Sequence, residues 1–254
     1  MANWKMNLNI HEASVFVHTL NEKIKGHRNV EVVIAPTMLA LQPLSLQVDH
    51  KKFGLAAQNL YWKDEGPFTG EVSAHQLRGL VKYAIIGHSD RRHKFHEHDK
   101  EIRSKVQAAV RNHIIPVLCV GETASEKADG ETLGILHDQI VGGLANLTAE
   151  EVKDIVVAYE PVWAISGGKN FGDHTTPTPA EIKKAILAIR KQIEHLFGAE
   201  AASSVRILYG GSSSGSNAAS LLAIQEVDGF LVGGASLNVH EFSDMIEAAH
   251  ERDE

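Results

Sequence analysis

What most constrains the fold of this chain is an alternation. Short, continuously apolar segments recur along its length, separated by longer amphipathic ones. After the N-terminus the apolar segments are Val30 to Ala35, Phe53 to Gln58, Tyr83 to Gly87, Ile115 to Val120, Ile155 to Tyr159, Val205 to Leu208 and Gly229 to Val232. Most lack the polar-every-second-residue pattern of a half-exposed strand, which suits parallel strands covered on both faces. Helical patterns lie between them, including Glu12 to Lys25, Lys100 to Asn112, Leu133 to Leu147, Ala180 to Phe197 and Val239 to His250. A strand running into Asn3-Trp4-Lys5 brings the count to eight β/α units. Eight such units in 254 residues predict one domain, residues 1–254: a closed, eight-stranded parallel (β/α)8 barrel. A doubly wound open sheet would use fewer strands and leave material over, and no Ser/Pro-rich linker marks a boundary.

Composition narrows the partners. A formal net charge of −7 argues against nonspecific binding to nucleic acid or to an anionic membrane, so any anionic ligand must be held by local groups. The single Cys119 excludes an internal disulfide framework, and the chain shows neither a charged-then-apolar leader nor a long apolar span. A cytoplasmic location is the expectation. His93, His96 and His98 lie close together but without a Cys or a fixed ligand frame, and solvated helix and loop histidines are the expected reading. No metal site and no cofactor are predicted.

In a (β/α)8 barrel the reactive groups belong at the C-terminal ends of the strands. The segment Val156-Val157-Ala158-Tyr159 stops at Glu160, and Pro161 then removes the N–H that would continue a ladder. On this stretch alone, acid-base chemistry and a surface acid before a turn are both open. The other strand ends carry Asn3 and Lys5, then Gly87-His88-Ser89, Gly121-Glu122, Gly210-Gly211-Ser212 and Gly233-Gly234.

Six segments then resemble, in order and in register, those of the triosephosphate isomerase family: Asn3 to Asn7, Ile86 to Ser89, Cys119 to Glu122, Tyr159 to Ile165, Tyr209 to Ser212 and Phe230 to Ser236. The resemblance implies interconversion of dihydroxyacetone phosphate and D-glyceraldehyde 3-phosphate through an enediolate, in glycolysis and gluconeogenesis. By the same resemblance Glu160 is the expected base, His88 the electrophile on the substrate oxygens, and Lys5 the cation beside Asn3. Ser166, Gly167, Ser212, Gly233 and Gly234 are the expected substrate and phosphate contacts, glycine turns being able to present N–H groups to an anion. Ser89 and Asp90 can open a short helix whose N-terminus keeps the imidazole neutral.

The chain also departs from the family. Asp90 stands where a glutamate is usual, Ser166 follows Ile165 where a glycine is usual, and residues Asn170 to Pro177 read as an insertion before a helix opened by Thr178-Pro179-Ala180-Glu181. Closure of the loop after Glu160 is expected to persist with altered kinetics. Only Met1 and Ala2 precede Asn3, so the first strand is expected to be truncated or to start further upstream. Gly66-Pro67-Phe68-Thr69-Gly70-Glu71 resembles the family's projecting third loop, which implies a homodimer. Two rival functions are a phosphosugar-binding barrel impaired in catalysis and a different aldose-ketose isomerase.

Overall fold

The computed structural model describes residues 1–24, 29–165 and 176–252. Mostly apolar runs form the strands β1 (Ala2–Asn3), β2 (Val32–Ala35), β3 (Phe53–Ala57), β4 (Tyr83–Ile86), β5 (Ile115–Val120), β6 (Val156–Tyr159), β7 (Arg206–Tyr209) and β8 (Gly229–Phe230), with β-branched residues in β2 and β4 to β7. They pair in parallel in sequence order, β1 through β8. Each predicted apolar segment holds one strand, trimmed at some ends, except that β7 runs one residue past its segment to Tyr209. Glu31, for example, lies outside β2 and spends its side chain on ion pairs with Lys82 and Arg206.

Burial on both faces explains why the strands are continuously apolar. One set of strand residues, including Val33, Ala35, Ile85, Val117, Cys119 and Ala158, packs as one cluster. Their alternating neighbours, such as Ile34, Ile86, Leu118 and Val157, pack in a second cluster with helix residues such as Ile102, Ile140 and Ile186. Period-two alternation thus sends successive side chains into two different apolar environments.

The predicted helices are found at Ile10–Lys23, Asp99–Arg111, Thr132–Leu144, Pro179–Phe197 and Val239–Glu251. Capping boxes fix the starts of the first and fourth, from Asn9 with Glu12 and from Thr178 with Glu181. The helix Met38–Gln47 was not among the predicted patterns. Pro43 lies inside it, and apolar residues on all sides leave it no amphipathic signature.

β1 also meets the far end of the sheet. Ala2 forms a parallel bridge with Val232, Asn3 N donates to Val232 O at 2.8 Å, and Val232 N donates to Met1 O at 2.8 Å. At the N-terminal ends of the strands a cavity of about 240 Å3 is lined by residues that include Glu31, Tyr83, Arg206 and Met245. Among the described residues no helix is long and apolar enough to cross a membrane.

Candidate active site

The residue after β6 is the buried carboxylate Glu160. Its N–H donates to Val120 O at 2.7 Å, which ties it to the neighbouring strand, and Pro161 ends the ladder. Two glycines make room for it. A Cβ on Gly121 would lie 1.8 Å from the Glu160 carbonyl oxygen, and a Cβ on Gly210 would lie 2.8 Å from Glu160 Cγ. Both glycines therefore answer a steric demand of the carboxylate's own residue.

His88 closes the distance from β4. Its Nε2 lies 2.9 Å from Glu160 Oε1, while Asp90 N donates to its Nδ1 at 3.0 Å. A ring nitrogen that accepts a backbone N–H carries no proton, so His88 is the Nε2–H tautomer and its proton points at Glu160. Ser89 N, in the first turn of the helix Ser89–Lys94, donates to Glu160 Oε2 at 3.0 Å. Burial alone would raise the Glu160 pKa. The His88 ring, the Ser89 N–H and the Lys5 charge outweigh it and hold the carboxyl below its ordinary value.

Lys5 reaches the same cleft with an unusual backbone. Its φ is 52°, in the left-handed region that a non-glycine residue rarely occupies. Several contacts impose this conformation: Lys5 N donates to Asn3 Oδ1 at 3.1 Å, and Gln58 Nε2 donates to Lys5 O at 2.8 Å. The fully buried Trp4 anchors the turn with its indole N–H on Ser236 O at 3.2 Å. Strain held in place by surrounding bonds is a mark of a functional position. The Lys5 ammonium sits 3.0 Å from Asp90 Oδ2, and Lys94 sits 2.6 Å from Asp90 Oδ1. Burial raises the Asp90 carboxyl pKa, but these two lysines pull it down to about 2.

The cleft joining these groups has a volume of about 60 Å3, and its walls include Asn3, Lys5, His88, Glu160, Ser212, Gly233 and Gly234. Seven of the nine sequence-predicted site residues thus meet in one place. Ser166 and Gly167 lie outside the described residues, as does most of the segment Asn170 to Pro177. Ser212 N donates to Ala164 O at 3.1 Å, tying the turn after β7 to the residues after Glu160. Gly234 opens a short 3-10 turn, Gly234–Leu237, at the end of the eighth unit.

Sequence reasoning missed two contributors. Ser89 was read only as a helix start, yet its N–H grips the carboxylate. Glu122 was noted at a strand end without a role. Buried, it accepts from Trp163 Nε1 at 2.8 Å and from Tyr159 OH at 3.2 Å, while its carbonyl oxygen accepts from Val162 N at 3.0 Å. It therefore clamps the chain on both sides of Glu160. The signal available in the sequence was a carboxylate at the end of one strand beside an aromatic-rich end of the next. His93 lies in the helix Ser89–Lys94 and His98 precedes the helix Asp99–Arg111, and among the described residues no group of three or more His, Cys, Asp or Glu could hold a metal ion.

A buried, ionised carboxylate beside a neutral N–H donor and a lysine, with glycine turns opposite, can move a proton at carbon next to an oxyanion. Comparison with known proteins agrees with that chemistry. The family model for triosephosphate isomerase matches residues 1–249. The triosephosphate isomerase of Chloroherpeton thalassium is 40% identical over 249 residues, covering 97% of this chain and 96% of the relative. That of Carboxydothermus hydrogenoformans is 41% identical over 248 residues, covering 97% and 96%, and that of Moorella thermoacetica 42% over 245 residues, covering 96% and 95%. On a family match that spans nearly all of its length, and on relatives about 40% identical over 96% or more of the chain, the chain belongs to the triosephosphate isomerase family.

Proposed function

We propose that this cleft interconverts dihydroxyacetone phosphate and D-glyceraldehyde 3-phosphate through an enediolate, in glycolysis and gluconeogenesis. The observation that carries the reading is the 2.9 Å approach of His88 Nε2 to Glu160 Oε1 in a cleft shared with Lys5. Glu160 takes the proton from the carbon beside the substrate carbonyl, and the C–H pair becomes the C=C of the enediolate. His88 Nε2–H turns from Glu160 to the substrate oxygens, where negative charge develops. The protonated Glu160 then returns its proton to the neighbouring carbon while the hydroxyl proton crosses between the two substrate oxygens that His88 Nε2–H faces, so that no atom is gained or lost. Positioned proton transfer of this kind contributes about 100-fold to 10,000-fold.

Lys5 supplies fixed positive charge to the oxyanion and the phosphate, with Asn3 holding its backbone. Ser212, Gly233 and Gly234, from the turns after adjacent strands, are the phosphate contacts; Ser166 and Gly167, which belong to the same reading, lie outside the described residues. The experiment that tests the reading is a coupled assay on glyceraldehyde 3-phosphate. Wild type turns over, and Glu160→Asp, which retracts the carboxylate by about an ångström, loses on the order of 100-fold in kcat. Inactive wild type refutes the enzyme and leaves the phosphosugar-binding barrel.

The architecture is read as one closed barrel domain over residues 1–254. The bridge between Ala2 and Val232, with its flanking hydrogen bonds, supports closure. We further propose a cytoplasmic homodimer assembled through the loop of residues 66–71. That loop is exposed, and large apolar side chains stand out after each of the first four strands: Met6 at 93% exposed, Leu39 at 79%, Phe68 at 36% and Phe95 at 66%. Apolar surface on the segments that follow neighbouring strands is what a second copy would cover.

A further inference from the structure

Asp90 poses an electrostatic problem for the cleft. Its carboxylate lies 3.0 Å from the Lys5 ammonium, close enough to cancel the charge that a phosphate needs. Lys94 approaches the other carboxylate oxygen at 2.6 Å, one helical turn further on in the helix Ser89–Lys94. The third neighbour, His88 Nδ1 at 3.5 Å from Asp90 Oδ2, accepts the Asp90 N–H and is uncharged in that arrangement. With His88 neutral, the pairs Lys5 with Glu160 and Lys94 with Asp90 balance. Without Lys94 the same cluster is net negative toward an incoming anion.

We propose that Lys94 is a positioning residue for substrate binding: by engaging Asp90 it leaves Lys5 available to a phosphate and so favours phosphorylated over neutral triose. This rests on the reading of the cleft as a phosphosugar site. It also gives Asp90, the chain's departure from the family's glutamate, a specific compensation four residues on. Because the Lys94 side chain is 67% exposed, its influence is screened and salt-dependent.

The test is Lys94→Met in the full chain, with Lys94→Arg and the double variant Lys94→Met/Asp90→Asn beside it. For glyceraldehyde 3-phosphate, Lys94→Met raises KM about two- to fivefold at low salt with kcat unchanged, and the difference shrinks as salt is added. Turnover of unphosphorylated glyceraldehyde is unaltered. Lys94→Arg returns KM to wild type, and so does removing the Asp90 charge in the double variant. The proposal is overturned by an unchanged KM, by an equal loss on the neutral triose, by a fall confined to kcat, or by failure of both rescues. Molecular mass by light scattering is measured for each variant, and a change that tracks with loss of association also counts against it. Binding of inorganic phosphate, followed by calorimetry, is read in parallel. Should wild type turn over no triose, the function is refuted, whereas Lys94 is still judged by whether Lys94→Met weakens phosphate two- to fivefold.

Discussion

At Gly210 the residue type is dictated by a side chain fifty positions earlier in the chain. A methyl group there would lie 2.8 Å from Glu160 Cγ and 3.2 Å from Tyr159 O. Gly210→Ala is therefore expected to displace the Glu160 side chain with limited damage to the fold. A fall in kcat of on the order of 100-fold, with far-ultraviolet dichroism preserved, is the expected outcome in the coupled assay. Gly121→Ala is a different case, because its Cβ would meet a backbone oxygen at 1.8 Å and only separation of β5 from β6 relieves the clash. Loss of roughly 2 kcal/mol or more in urea unfolding is expected for that variant. Cys119 offers a third check. It is fully buried, and burial together with the Glu160 charge pushes its thiol up, so iodoacetamide should modify it only after unfolding.

Among the elements, the end of β6 and the turn that follows it are held most elaborately. Glu122 accepts from Tyr159 and Trp163, and the Lys127 ammonium stands 3.3 Å from the centre of the Trp163 ring while pairing with Glu181 at 2.9 Å. Trp163→Phe keeps the ring and removes the indole N–H, which leaves a buried carboxylate short of a donor. The expected cost is about 1 to 3 kcal/mol in denaturant unfolding. The helix Ser89–Lys94 shows the same coupling in reverse: its first turn grips Glu160 through Ser89, and its last residue holds Asp90. Part of this was legible beforehand. The capping pattern Thr178 to Glu181 and the short helix after His88 follow from local rules. The helix Met38–Gln47 does not, since its proline and uniform apolarity hide it from any periodicity argument.

For the molecule as a whole, acid stability gathers at the opposite end of the barrel from the cleft. Glu31 pairs with Lys82 and Arg206 and accepts from Tyr83 OH at 2.8 Å. Burial would raise its pKa, but the hydrogen bonds from Arg206, Lys82 and Tyr83 bring it down to about 2 from an ordinary 4.5. A carboxyl lowered on folding stabilises above its unfolded pKa, and that contribution is lost as pH falls from about 4.5 toward 2. Its side chain is a third exposed, so about 1 to 2 kcal/mol is expected after screening. Urea titrations of wild type and Glu31→Gln at pH 6 should differ by that amount, and the gap should narrow below pH 4.5 and close only toward pH 2. Light scattering at micromolar concentration should return a dimer mass, and a monomer would remove the proposed role of the loop of residues 66–71.

The sequence by itself determined the number and kind of units, because continuous apolar runs and capping boxes are local consequences of burial and backbone hydrogen bonding. It also placed Glu160, His88 and Lys5 at strand ends, since apolar runs stop where the chain leaves the core. Only the tertiary structure decided what each group touches. Gly210 read as part of a phosphate turn, yet its missing side chain makes space for Glu160, and Glu122 read as one strand-end acid among several, yet it clamps the turn beside Glu160. Lys94 read as nothing in particular, although its ammonium sits on the carboxylate facing Lys5. The physical reason is range: propensity and periodicity act over a few residues, whereas Glu122 meets Trp163 across 41 residues, Glu160 meets Gly210 across 50 and Lys5 meets Asp90 across 85, through strand order and register, which the fold alone sets.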